Sequence, residues 1–181
     1  MLYSLSFLTL ALFSLIGPAA NAQPEAVPKV GQSALAGAAS VPGKTPWQTL
    51  SELGGSWRLA TPSTAVEKAF RIDMRPISKN SALVETFGSA TETVYHRDGQ
   101  NIMATHYCAQ GNQPRLILTP VSQPGALSFK FHDITNLNNK ADSHLVRIDF
   151  KIIDGDNLER RETYTRNGIA EESTLRLKRV W

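Results

Sequence analysis

One cysteine, Cys108, stands in a chain of 181 residues, so no internal disulfide can form. Stability must come from a packed core, and a chain of this length can build one. A lone thiol of this kind is usually buried and inert, the sharper alternative being a reactive or ligating group. Charge of one sign never accumulates. The net charge is +3, but Lys and Arg alternate with acids, as in Asp156-Asn157-Leu158-Glu159-Arg160-Arg161-Glu162. With no basic stripe to track phosphates, no nucleic-acid partner is expected. Beyond residue 22 there is no apolar run long enough for a membrane helix. There is also no His-x-x-x-His or Cys-x-x-Cys ligand pair, no Gly-x-Ser-x-Gly elbow and no repeat at a fixed period. Cys108 and His106 at i and i+2 would share a strand face, yet nothing in the sequence supplies the orienting group and oxyanion site that a nucleophile needs. No reaction is therefore readable, the chain leans away from catalysis, and no cofactor is expected.

What is present begins with a leading segment. Met1 to Ala22 reads as a secretory signal: Leu5–Ile16 is mostly apolar but too short to span a bilayer, and Ala20-Asn21-Ala22 suits small-residue cleavage. The stretch before the apolar run carries no Lys or Arg, which leaves an uncleaved anchor as the alternative. No Cys follows the cleavage site, so a lipid anchor there is excluded. The expected location is periplasmic or secreted, with no integral membrane segment after signal removal. Residues 23–45 are rich in Pro, Ala, Gly, Ser and Val without periodicity, a composition suited to a flexible tether. The remaining span, 46–181, reads as one domain.

That domain opens with a short helix, Trp47–Leu53, with Thr45 as N-cap, Pro46 at the first helical position and Gly54-Gly55 as the stop. From Ser56 onward, short alternating runs predict strands. They are Ser56–Thr61, Ala65–Ile77, Ser81–Phe87, Thr91–Arg97, Asn101–Cys108, Arg115–Pro120, Ala126–His132, His144–Ile153, Asn157–Thr165 and Ala170–Val180. Asp98-Gly99, Gly111-Asn112, Asp154-Gly155 and Asn167-Gly168 are hairpin signals. About ten strands so linked should pair antiparallel, and closure on themselves removes exposed edges. The predicted fold is all-β, a closed antiparallel up-and-down barrel, with a two-sheet sandwich as the runner-up. Asp133–Asp142, polar and Asn-rich, is the longest expected loop.

Gly55-Ser56-Trp57, opening the first strand after a short helix, resembles the Gly-x-Trp of lipocalin-like (calycin) barrels. The resemblance implies an indole closing one end, with Arg176 or Arg179 of the last strand stacked on it. A second likeness starts at Val94-Tyr95-His96-Arg97-Asp98-Gly99 and continues through Thr105-His106-Tyr107-Cys108 to Gly111-Asn112-Gln113-Pro114-Arg115. These blocks resemble a family of uncharacterised, mostly bacterial proteins, and His144 is compatible with the same pattern. The likeness implies no established activity. It does imply that these residues form one site.

Alternation in His144–Ile153 places His144, Val146, Ile148, Phe150 and Ile152 on one face, predicted to point inward. In the strand ending at Cys108, His106 and Cys108 share a face, also taken as inward, while Thr105 and Tyr107 share the other. An apolar lumen with a few polar groups at one end suits a small hydrophobic or amphipathic molecule. His106, Tyr107, Cys108 and His144 are its candidate contacts, and Asn112, Gln113 and Arg115 could meet a carboxylate or carbonyl at the rim. The plainer account is that Gly111 and Asn112 make the turn while Gln113 and Arg115 tie down loops. Two other readings stay open: a metal or haem held by His106 and His144, and a structural or protein-interaction module with no small ligand.

Overall fold

The computed structural model describes residues 43–121 and 123–181; the expected signal, 1–22, and residues 23–42 of the expected tether lie outside the described residues. Helix α1 (Pro46–Ser51) starts where sequence chemistry places it. Thr45 accepts from the backbone of Gln48 and the Gln48 side chain reaches back to Thr45, a complete capping box with Pro in the first turn. Trp47 and Leu50 then turn into the core.

Ten strands follow. They are β1 (Gly55–Leu59), β2 (Ile72–Ile77), β3 (Ala82–Phe87), β4 (Thr91–Asp98), β5 (Asn101–Tyr107), β6 (Gln113–Thr119), β7 (Ala126–Thr135), β8 (His144–Ile152), β9 (Asn157–Arg166) and β10 (Ile169–Val180). Each pairs antiparallel with the next, and β1 pairs with β10 through Ser56–Leu59 and Leu177–Val180, so the sheet closes into an up-and-down barrel. The sandwich does not form. The β9–β10 turn shows why local residues suffice to fix a register. Arg166 faces Ile169, and Asn167 (φ 53°) and Gly168 (φ 75°) take the two left-handed positions whose twist matches that of the strands.

One expected strand is shorter than its apolar pattern. Ala65–Ala69 is a helical turn, α2, because Thr64 caps the backbone of Glu67 while Glu67 reaches back to Ser63 and Thr64. Strand β2 starts only at Ile72. The capping signature Thr-x-x-Glu outweighs alternation here.

Strand direction sorts the connections to two ends. The floor carries α1 and the turns after β2, β4, β6 and β8; the mouth carries α2 and the turns after β3, β5, β7 and β9. At the floor, Trp57 donates its Nε1 to the Leu53 carbonyl at 2.9 Å, and the Arg179 guanidinium lies 4.3 Å over its ring. Arg179 donates to the carbonyls of Glu52 (2.8 Å), Gly54 (2.5 Å) and Gly155 (2.8 Å). A Cβ on Gly55 would stand 2.7 Å from Arg179 Nη1, and φ there is 137°, so both space and backbone require glycine. Of the two arginines the sequence offered, Arg179 is the one on the indole; Arg176 lies outside, on Glu159. Above the floor, Ile72, Leu83, Tyr95, Phe129, Phe150 and Leu158 are fully buried, with Tyr95 edge-on to Phe129 at 5.2 Å. Each such side chain contributes about 1.5–3 kcal/mol by leaving water.

Candidate functional site

His106 sits near the mouth end of β5 with its ring inside the barrel, 1% exposed. Its register partner is Thr93 of β4, whose hydroxyl lies 2.9 Å from Nδ1. Its other nitrogen, Nε2, is 3.1 Å from the hydroxyl of Tyr164 on β9. Strand β9 is four strands from β5 by the shorter way round the barrel, so this contact crosses the lumen. Cys108, just past the end of β5, is half-buried and its Sγ accepts from the Gln110 backbone N–H at 3.5 Å. Burial holds the His106 imidazole at a pKa of about 4, with the Arg160 charge adding to the shift and Glu162 opposing it. The ring is therefore neutral at neutral pH. Burial, reinforced by Glu162 and Cys108, pushes the Tyr164 phenol well above its ordinary value.

Below this bridge lies a layer of charge. Arg160 of β9, 2% exposed, reaches Glu85 of β3 at 2.5 Å and Glu162, two residues along its own strand, at 2.8 Å. Glu85 in turn accepts from the Tyr95 hydroxyl at 2.7 Å. Burial works against the guanidinium's charge, but Glu85 and Glu162 outweigh it and raise its pKa further; burial and Glu85 likewise raise the Tyr95 phenol. Phe87 and Phe150 flank the Arg160 head at 5.8 and 5.9 Å. Arg160 Nε is buried without a partner. A fully buried ion pair recovers its desolvation cost only with complete hydrogen bonding, so the missing partner is a real deficit.

The sequence-derived candidates separate into those this lumen collects and those it does not. His106 meets Tyr164 inside the barrel, and Cys108 is half-buried just past the end of β5. Tyr107, the neighbour that alternates away from them, is 51% exposed and stands in register with Glu92 on the outside. His144 was expected inward and is not. Leu145 pairs with Tyr164 but Arg147 pairs with Thr163, so Val146 is an extra residue, a β-bulge. The bulge reverses the phase of the strand: Ile148, Phe150 and Ile152 keep their inward places and His144, across from Thr165, falls on the other side of the wall. There its ring lies against Phe131 at 5.5 Å and its Nδ1 stands 2.9 Å from the Asp142 carbonyl oxygen.

Asn112, Gln113 and Arg115 behave as loop ties. Asn112 donates to the Ser143 carbonyl (3.0 Å), Gln113 donates to the Gly111 carbonyl (2.9 Å) and accepts from Thr135 (2.9 Å), and Arg115 holds Asp133 on the outer face. His106 and His144, on opposite sides of the wall, do not converge. Among the described residues no three His, Cys, Asp or Glu side chains are grouped to hold a metal ion.

Sequence reasoning missed Glu85, Arg160, Glu162 and Tyr164. A signal existed: Leu158, Arg160, Glu162 and Tyr164 alternate onto one face, and that face begins with an aliphatic residue. Because the opposite face, Glu159, Arg161 and Thr163, is also polar, alternation alone could not say which looked inward.

What these features define is a class: a closed ten-stranded antiparallel barrel that fits the lipocalin-like fold, with polar side chains bridging its lumen. The chain matches no protein-family model and no curated protein sequence.

Proposed function

We propose that this is an exported binding protein, periplasmic or secreted, whose barrel takes a small hydrophobic or amphipathic molecule through the mouth. The observation that carries the reading is the His106–Tyr164 contact across the lumen. It is a neutral, single hydrogen bond spanning the way in, and an incoming carbonyl or hydroxyl can replace either partner without stranding a charge. Beneath it, Arg160 keeps one donor unspent. An amphipathic guest would place its polar end on this layer and its apolar part against the aromatic and aliphatic wall above the floor. The leading segment, apolar with a small-residue cleavage site, supports export.

The test is native mass spectrometry of the protein isolated from its own host, as the intact chain and as His106→Gln and His144→Gln. A co-purifying organic mass that is depleted in His106→Gln and retained in His144→Gln supports the proposal, since His144 lies outside the wall. An empty barrel, or equal depletion in both variants, sinks it.

A further inference from the structure

A cleft unlike the lumen opens among the mouth loops. It is an open cleft of about 480 Å³ between the β5–β6 turn, the β7–β8 loop and the β9–β10 turn. Its wall is made of five amides, the Ser143 hydroxyl, one carboxylate and one guanidinium, with Ala141 as its sole aliphatic side chain. The loops that form it are pinned to one another. Asn136 donates to the Gly111 carbonyl at 2.5 Å, the Asn167 backbone N–H donates to the Ala141 carbonyl at 3.0 Å, and Asn112 donates to the Ser143 carbonyl at 3.0 Å. The cleft is thus a preformed shape.

Its hydrogen-bonding capacity is largely unused. Asn112 is 4% exposed, and because its nitrogen is committed to Ser143, the orientation of the amide is fixed and Oδ1 lies buried beneath the cleft surface. That oxygen has no partner among the described residues, which is rare for a buried acceptor. Gln110, Asn138 and Asn167 line the cleft, and among the described residues their side chains make no hydrogen bond. Arg166 lines it too and, on the same terms, joins no ion pair.

We propose that this cleft is a saccharide site, separate from the lumen. Carboxamides donate and accept from one planar group, as hydroxyls do from one atom, so an amide wall matches a ligand dense in hydroxyls. With Ala141 as its one aliphatic side chain the cleft offers no pocket to a large hydrophobic group, and mixed charge argues against a simple ion. The volume suits one or two sugar rings, within the ordinary range of about 300–1,000 Å³ for small-molecule sites. The proposal does not depend on anything entering the barrel.

The test uses the ¹⁵N-labelled protein and follows backbone amide resonances while glucose, N-acetylglucosamine and galacturonate are titrated separately. Saturable shifts confined to 110–112, 136–143 and 166–167 with at least one sugar are the expected result. Asn138→Ala and Arg166→Ala, both at exposed positions, should each weaken that sugar roughly five-fold while leaving the thermal midpoint in place, as loss of one hydrogen bond does. Three outcomes overturn it: no saturable shift with any of the three, shifts centred on His106 and Tyr164 instead, or saturation by triglycine but by no sugar, which would make this a peptide-backbone site.

Discussion

Two arginines, Arg160 fully buried and Arg179 half-buried, are held by the barrel in different ways. At the floor, Arg179 spends its donors on three backbone carbonyls and lies flat on Trp57, in a setting with no carboxylate closer than Asp156 at 4.0 Å. In the middle, Arg160 faces two carboxylates and keeps an unspent Nε. The first is a closure, held by backbone carbonyls and an indole face. The second is a junction, held by groups that can titrate, be replaced or be joined by a guest. The half-buried charge at the floor therefore serves shape, whereas the buried charge in the lumen also leaves chemistry unsatisfied.

Breaking the junction should cost most. Arg160→Met leaves Glu85 and Glu162 confronting each other without a cation, and about 3–5 kcal/mol of folding stability should be lost in urea titrations. Arg160→Met combined with Glu85→Leu should recover part of that loss, since it removes a stranded charge as well; no recovery would mean that the pair contributes packing rather than charge.

The imidazole above the junction gives the next effect. Its folded pKa, about 4, lies below the ordinary histidine value of about 6.5, so between these pH values the unfolded chain binds the extra proton. Stability is then fully present above about pH 6.5 and falls as pH drops towards 4, by roughly 3 kcal/mol. The slope between pH 4 and 7 should flatten in His106→Gln; a wild-type curve flat over that range would refute the neutral buried ring.

At the floor, Arg179→Met should cost about 2–3 kcal/mol, from the lost charge-assisted hydrogen bonds and the indole contact. It should do so without changing the pH dependence between 4 and 7. If Arg179→Met alters that slope, the two regions are coupled and the distinction between closure and junction fails.

The hairpins were legible because their chemistry is local: Asn167-Gly168 fixes its turn whatever lies elsewhere. The number of strands, their antiparallel order and the helix before β1 follow from such signals. The polar lumen was not legible, because Glu85 and Arg160 are far apart in sequence and meet only after the sheet has closed. His144 failed for another reason: a single extra residue at Val146 inverts every side chain beyond it, and nothing in the apolar pattern of β8 marks the slip. Of the seven candidates, His106 is buried in the lumen as its alternation predicts, Cys108 is half-buried just past its strand, and Asn112, Gln113 and Arg115 make the loop contacts of the plainer of their two readings.

One consequence follows from the reach of Arg160. Glu85 and Arg160 sit on strands four apart, so their contact is a chord drawn across the cylinder. Backbone ladders set the spacing of neighbouring strands, but they leave the roundness of the whole free to vary. A chord of this kind holds the tube to one cross-section, and any partner that slackens it would let the tube flatten or swell along a single diameter.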